Sequence, residues 1–242
     1  IYEKHRKPLA LAGHSMGGHI ALRYALHVHQ AFELDQIMHA STYLRFANAN
    51  PMALEISRVP LAKYHIRSPL QLIRGIVLVS PMLDVNTGRF SQKFARRLAR
   101  IATFFGFGGA YVPGASDYNY ARDSFRGDKQ TSFEKGYQKL KKLRKKYGLP
   151  MVTYAWMQAT FESIHYLKKA NFSHFHIPVL ATLAKDEYVV LNREARYILS
   201  RIHSAKIVNL EGMHTPFVEK PEIREKLIGR ISQFFNQLST PH

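Results

Sequence analysis

The sequence predicts an α/β fold with a mostly parallel sheet, and three observations predict it. Short apolar runs recur along the 242 residues, helical patterns lie between and after them, and the first run breaks on a serine flanked by glycines. A 46% hydrophobic share over this length suits one globular domain, or one domain carrying an insertion.

The first run is Leu9 to Ala12, introduced by Pro8 and followed by Gly13-His14-Ser15-Met16-Gly17-Gly18. It reads as a strand, a sharp turn with Ser15 at its tip, and a helix from Gly18 to about His29. So tight a corner brings backbone segments together, which calls for glycine at Gly13 and Gly17. The helix N-terminus then aims its amides and the positive end of its dipole at the serine. The N–H of Met16 is placed to donate to an oxyanion there.

From Ala31 to about Gln71 no single period dominates. Helical fragments around Phe32 to Phe46 and prolines at Pro51, Pro60 and Pro69 mark an insertion. Gly75 to Pro81, Ile177 to Ala184 and Ala205 to Leu210 read as further strands, buried on both faces. Helices are expected over Leu191 to Ile202 and Pro221 to Leu238. Between Pro81 and Ile177 the composition changes. Residues 88–150 hold fifteen lysines and arginines against four acids, so most of the chain's net charge of +18 is local. A helix over Ser91 to Phe105 places Phe94, Leu98, Ala102 and Phe105 on one stripe, with Lys93, Arg96, Arg97 and Arg100 around the other face. A second basic helix runs from Lys135 to Tyr147, and the aromatic, glycine-rich stretch Phe104 to Tyr111 suits a mobile apolar lip.

A serine hydroxyl needs a histidine to take its proton and a carboxylate to orient that histidine. Both types follow strand ends: Lys185-Asp186-Glu187 after one run, and Glu211-Gly212-Met213-His214 after the next. Asp186 is the favoured acid, with Asp84 and Glu187 as alternatives.

With these residues in place the chain resembles an α/β-hydrolase of the monoacylglycerol lipase and bacterial lysophospholipase branch. The matching pieces are Gly13 to Gly18, Val79 to Asp84, Ile177 to Leu180 with Asp186, and Gly212-Met213-His214 followed by Glu219. The resemblance implies Ser15 as nucleophile, His214 as general base and acid, Asp186 as the orienting carboxylate and Met16 as an oxyanion donor. It also implies a helical cap, residues 88–176, inserted into a core formed by 1–87 and 177–242. His14 and the cap residues Tyr154, Trp156, Met157 and Phe161 are expected to contact substrate. The family places four strands and a His-Gly loop before the serine turn, and the chain is therefore expected to be the C-terminal part of the fold, poorly folded and inactive in isolation. The 31–71 insertion is longer than the family's usual link.

The expected activity is hydrolysis of a carboxylic ester of a single-chain lipid, a lysophospholipid or monoacylglycerol, through an acyl-enzyme and without a cofactor. The alternatives are a small-ester or aminopeptidase-like hydrolase, or an inactive basic fragment that associates with membranes. His174 and His176 could share a face, but no third ligand stands at a suitable spacing, so no metal is expected. Lys93, Arg96, Arg97 and Arg100 suit an anionic membrane surface; no recognisable nucleic-acid module accompanies the charge, and no nucleic acid is expected. No stretch reaches 18 uninterrupted apolar residues, and a cytoplasmic or peripheral membrane location is favoured. Absence of cysteine excludes disulfides and thiol nucleophiles.

Overall fold

The computed structural model describes residues 7–38, 68–116, 123–148 and 151–239. Among them are four strands, β1 (Leu9–His14), β2 (Ile73–Val79), β3 (Val179–Ala184) and β4 (Ala205–Leu210), which pair in parallel in that order. The helices are α1 (Met16–Met38), α2 (Gln92–Phe104), α3 (Glu134–Tyr147), α4 (Tyr154–Lys169), α5 (Asn192–Leu199) and α6 (Pro221–Ser239). α2, α3, α5 and α6 lie within a few residues of their expected ranges, α4 is a helix for which the sequence reading gave no range, and α1 runs on through the start of the expected insertion. The remainder of that insertion, 39–67, lies outside the described residues. Its exit is a 3-10 turn, Pro69–Gln71, closed by a reciprocal capping box with Ser68.

The period-two alternation of a strand sorts side chains between two cores. Ile76 and Leu78 of β2 with Val179, Ala181 and Leu183 of β3 pack on Leu22 and Leu26 of α1 and Ile198 of α5. Val77, Val79 and Leu180 pack the other way, on Leu227 and Phe234 of α6. Burial on both faces holds for β2 and β3, while β1 and β4 are outer strands with half-exposed side chains. A fully buried Leu or Ile contributes roughly 1.5–3 kcal/mol, so the two central strands carry most of this stabilisation.

The helical excursion between β2 and β3 is not a separate body. Leu167 of α4 and the following Ala170, Phe172 and Phe175 join the core beneath the sheet. The expected stripe on α2 is also displaced. Ala99 is the buried residue of α2, with Ala95, Leu98, Ala102 and Thr103 beside it, whereas Phe94 and Phe105 face solvent. Small side chains occupy the seam because the two segments approach closely, as at Gly108, where an added Cβ would lie 3.2 Å from that of Ala155. The stretch after α2 is fastened to α4 rather than loose: Tyr154 N–H donates to the Ala110 carbonyl at 3.0 Å and Ala155 N–H to that of Gly108 at 2.9 Å.

A buried polar seam holds α4 to α1. His19 Nδ1–H donates to the Met82 carbonyl at 2.9 Å, and its Nε2 accepts from the Ser163 hydroxyl. Arg23 donates to Ser163 Oγ at 2.9 Å and to His27 Nε2 at 3.0 Å, with its guanidinium 4.0 Å above the Tyr166 ring. Burial, with a smaller push from Arg23, brings the His19 imidazole down to about 4; the same two causes bring His27 to about 4.

Two outcomes follow from these contacts. A Cβ at Gly13 would stand 2.2 Å from the Gly17 carbonyl oxygen, a backbone atom that cannot swing aside, whereas a Cβ at Gly17 meets open space. Gly13→Ala is expected to cost about 3 kcal/mol or more in denaturant unfolding, and Gly17→Ala to be neutral or stabilising by up to about 1 kcal/mol. The glycine requirement expected at Gly17 is thus absent, because the direction a side chain would take there is open. In the second, His19 and His27 stay neutral in the fold while the unfolded chain takes up protons near 6.5. Their contribution is complete above pH 6.5 and is lost as the pH falls toward 4. Thermal midpoints should decline over that window, and His19→Asn, which keeps a donor near Met82, should make the decline shallower.

Candidate active site

Strand β1 ends at His14 and α1 begins at Met16, which leaves Ser15 as the corner with φ of 53°. A non-glycine residue in that region costs of order 1–3 kcal/mol and persists only where its surroundings hold it. Here β2 does so. Ser15 N–H donates to the Val79 carbonyl at 2.9 Å, while the Ser15 carbonyl accepts from Met82 N–H at 2.9 Å and from His19 N–H at 3.2 Å. As the first residue of α1, Met16 carries an N–H with no acceptor inside the helix.

His214 lies buried in the loop between β4 and the 3-10 turn Pro216–Val218. Its Nε2 is 2.9 Å from Ser15 Oγ. Its Nδ1 lies 3.0 and 2.9 Å from the two carboxylate oxygens of Glu187. A carboxylate can only accept, so Nδ1 carries the hydrogen and Nε2 is left to accept from the serine hydroxyl. Glu187 Oε1 also accepts from the N–H groups of Val189 at 2.8 Å and Val190 at 3.2 Å.

The acid beside the histidine is therefore Glu187 and not Asp186. Lys185 and Asp186 continue the ladder with the end of β4, donating to the carbonyls of Leu210 at 2.8 Å and Gly212 at 3.1 Å. This leaves both residues exposed, and Lys185 pairs with Glu211 on the surface. The turn inward comes one residue later, where the longer glutamate side chain reaches His214. In the sequence, the usable signal is the pair Val189-Val190, whose apolar side chains draw the segment after Glu187 into the core. Asp84 is committed elsewhere: its Oδ2 binds Lys168 of α4 at 2.6 Å and its Oδ1 accepts from Gln92 of α2 at 2.8 Å.

The histidine loop is braced by the excursion it faces. Glu219, wholly buried, accepts from Met213 N–H at 3.0 Å, Ser132 N–H at 2.7 Å and the Ser132 hydroxyl at 2.9 Å. Thr215 N–H donates to the Gln130 carbonyl at 2.8 Å. Gly212, at φ of 90°, lies so close to Glu219 that a Cβ would come within 2.9 Å of its carboxyl carbon. His14, expected to meet substrate, instead donates its Nε2–H to the His214 carbonyl at 2.9 Å and stands edge-on to Phe217. Burial pushes its imidazole below the ordinary range, against the pull of that carbonyl.

The four expected cap contacts divide. Tyr154 and Met157 line a cavity of about 440 Å³ with Phe90, Leu98, Val112 and Met151. Phe161 is buried in a cluster with Met82, Val85, Ile164 and Val190, and Trp156 packs against it. Neither is free to line the cavity, because each fills the space between α4 and the segment after β2. Met157 belongs to both groups, so the cavity abuts the cluster that contains Met82. Among the described residues, no group of three histidine, cysteine or carboxylate side chains is placed to hold a metal ion.

The alpha/beta hydrolase family model matches residues 1–223. No curated protein matches the sequence. Among solved structures, a soluble variant of monoglyceride lipase from Saccharomyces cerevisiae, in complex with a substrate analog, superposes with a TM-score of 0.61 at 13% identity. That match covers 100% of this chain and 66% of the lipase. A monoacylglycerol lipase of Paleococcus ferrophilus gives 0.59 at 16% identity, covering 98% of this chain and 71% of the other. A thermostable carboxyl esterase from Bacillus coagulans, in complex with glycerol, gives 0.57 at 13% identity, covering 98% and 67%. The chain thus spans about two thirds of the length of the solved structures it resembles.

Proposed function

We propose that this chain, which belongs to the alpha/beta hydrolase family, is a serine hydrolase that cleaves carboxylic esters of single-chain lipids through an acyl-enzyme. The observation that carries the reading is the continuous path from Ser15 Oγ through the His214 ring to the Glu187 carboxylate, each step at 2.9 Å.

On this reading Ser15 Oγ attacks the ester carbonyl as its proton passes to His214 Nε2. Glu187 holds the ring in the required tautomer and stabilises the imidazolium, and its own orientation is kept by the Val189 and Val190 amides. The tetrahedral oxyanion forms at the N-terminus of α1, where Met16 N–H donates to it; one such donor is typically worth about 2.7–4 kcal/mol. Imidazolium returns its proton to the departing alcohol. Water, deprotonated in turn by His214, then releases the fatty acid and regenerates the serine.

Support for a lipid acyl group comes from the cavity. It is lined largely by apolar side chains, and its volume falls within the range of small-molecule sites. Met157 joins it to the packed cluster around Met82, whose amide is bonded to the Ser15 carbonyl. We place the acyl chain there.

Turnover of p-nitrophenyl esters and labelling by a fluorophosphonate, measured on the protein as it exists rather than on residues 1–242 in isolation, test the chemistry. Ser15→Ala should abolish both. Glu187→Gln should lower kcat by about 10²-fold or more, while Asp186→Asn stays within about threefold of the unaltered protein. The reverse ranking of the two acids would remove Glu187 from its role. The acyl assignment is read separately: Met157→Trp should reduce kcat/KM for long-chain esters by about tenfold or more and leave acetate nearly unchanged. An equal loss on both would move the acyl chain elsewhere.

A further inference from the structure

The outer surface of α2 inverts the usual logic of an amphipathic helix. At about 100° per residue, with Ala99 facing inward, Arg100, Lys93, Phe104, Arg97, Ile101 and Phe94 fall on one outward arc of about 120°. Phe94 is 51% exposed, Phe104 81%, and the adjoining Phe105 and Phe107 are 68% and 64% exposed. Phe90 stacks on Phe94 at the other end, with ring centroids 5.6 Å apart. These large apolar side chains do not face water for want of an inner seam. That seam is already filled by alanines against α4.

Charge completes the pattern. Residues 88–116 hold Arg89, Lys93, Arg96, Arg97 and Arg100 and no aspartate or glutamate. Arg96 sits at the flank, above the Phe161 ring, and with Arg100 borders a groove that also contains Glu162 of α4. On the outward arc Arg97 stands between Phe104 and Phe94, and Lys93 stands beside Phe104. On α3, by contrast, part of the positive charge is used internally, since Arg144 pairs with Asp128 and Lys141 donates to the Asp123 carbonyl. The Phe104–Phe107 turn is rigidly presented: Phe107 N–H donates to the Ala102 carbonyl at 2.8 Å and Gly106 N–H to that of Thr103 at 3.1 Å.

We propose that the outward face of α2 and the turn after it form a docking surface for an anionic lipid bilayer. Phe94, Ile101, Phe104, Phe105 and Phe107 enter the acyl boundary, and Lys93, Arg97 and Arg100 reach the phosphates. Interfacial helices bind by this combination: apolar area supplies the depth, and each cation near an anionic surface adds its own increment. Preorganisation by the α4 contacts lowers the ordering cost of docking. The proposal is independent of the ester chemistry, because it concerns binding and draws on no residue of the Ser15 site.

The test is co-sedimentation of the full chain with vesicles of phosphatidylglycerol and phosphatidylcholine, against vesicles of phosphatidylcholine alone. Binding is expected to the anionic vesicles, weakened as ionic strength is raised from about 0.1 M to about 1 M. The triple variants F104S/F105S/F107S and K93E/R97E/R100E should each lower partitioning by about tenfold or more, while K142E/K145E/K146E on α3 changes it little. A second measurement keeps the charges and the apolar face: the indole introduced by Phe104→Trp should shift its emission to the blue on anionic vesicles and be quenched by brominated acyl chains. Absence of binding to the anionic vesicles overturns the proposal. So does equal binding to both vesicle types, or binding that the α3 variant abolishes and the α2 variants do not. Loss of affinity for single-stranded oligonucleotides in K93E/R97E/R100E, together with a Phe104→Trp variant whose emission stays unquenched on vesicles, would assign the surface to nucleic acid instead.

Discussion

Everything that gives this molecule a site depends on one strained residue being held in place. Ser15 occupies the left-handed region at the end of β1, and its peptide groups are bonded on both sides to the segment that closes β2, through the Val79 carbonyl and the Met82 amide. The parallel pairing of β1 with β2 is therefore more than a source of sheet stability. It sets the height of the corner relative to the ends of β3 and β4, from which the histidine and its carboxylate arrive. Gly13 is the complementary requirement, since α1 doubles back over β1 so closely that no side chain fits between them.

Around that corner the molecule uses buried polar bonds where an ordinary core would use apolar contact. Glu219 accepts three hydrogen bonds from neutral donors on two segments distant in sequence, the histidine loop and the stretch before α3. His14 holds the His214 carbonyl, and His19 holds the Met82 carbonyl. Each bond is directional, so together they fix orientation as well as position, which apolar packing does poorly. The excursion between β2 and β3 thus serves the site by bracing the loop that presents His214.

Local pattern was a reliable guide wherever one physical rule governed the outcome. The apolar runs became strands because β2 and β3 are covered on both faces, and the break at Gly13 to Gly18 became the corner because Gly13 leaves room for α1 to double back over β1. Rules of that kind act over a few residues. The α2 stripe shows where they stop. Periodicity allows several apolar faces on QKFARRLARIATF, and the choice among them was made by packing against α4, which buries Ala99 and leaves Phe94 and Phe104 exposed.

The sequence by itself determined the fold class, the order of the elements, and the serine and histidine that meet at 2.9 Å, because strand ends and glycine turns are encoded by neighbouring residues. Only the tertiary structure decided which carboxylate faces the histidine. Asp186 and Glu187 are adjacent and chemically alike, and the choice turns on how far the ladder between β3 and β4 extends before the chain leaves it. It likewise decided that Phe161 packs while Met157 lines the cavity, and that the aromatic face of α2 looks outward. These depend on the distance between elements far apart in the chain, a quantity that no local pattern of residues contains.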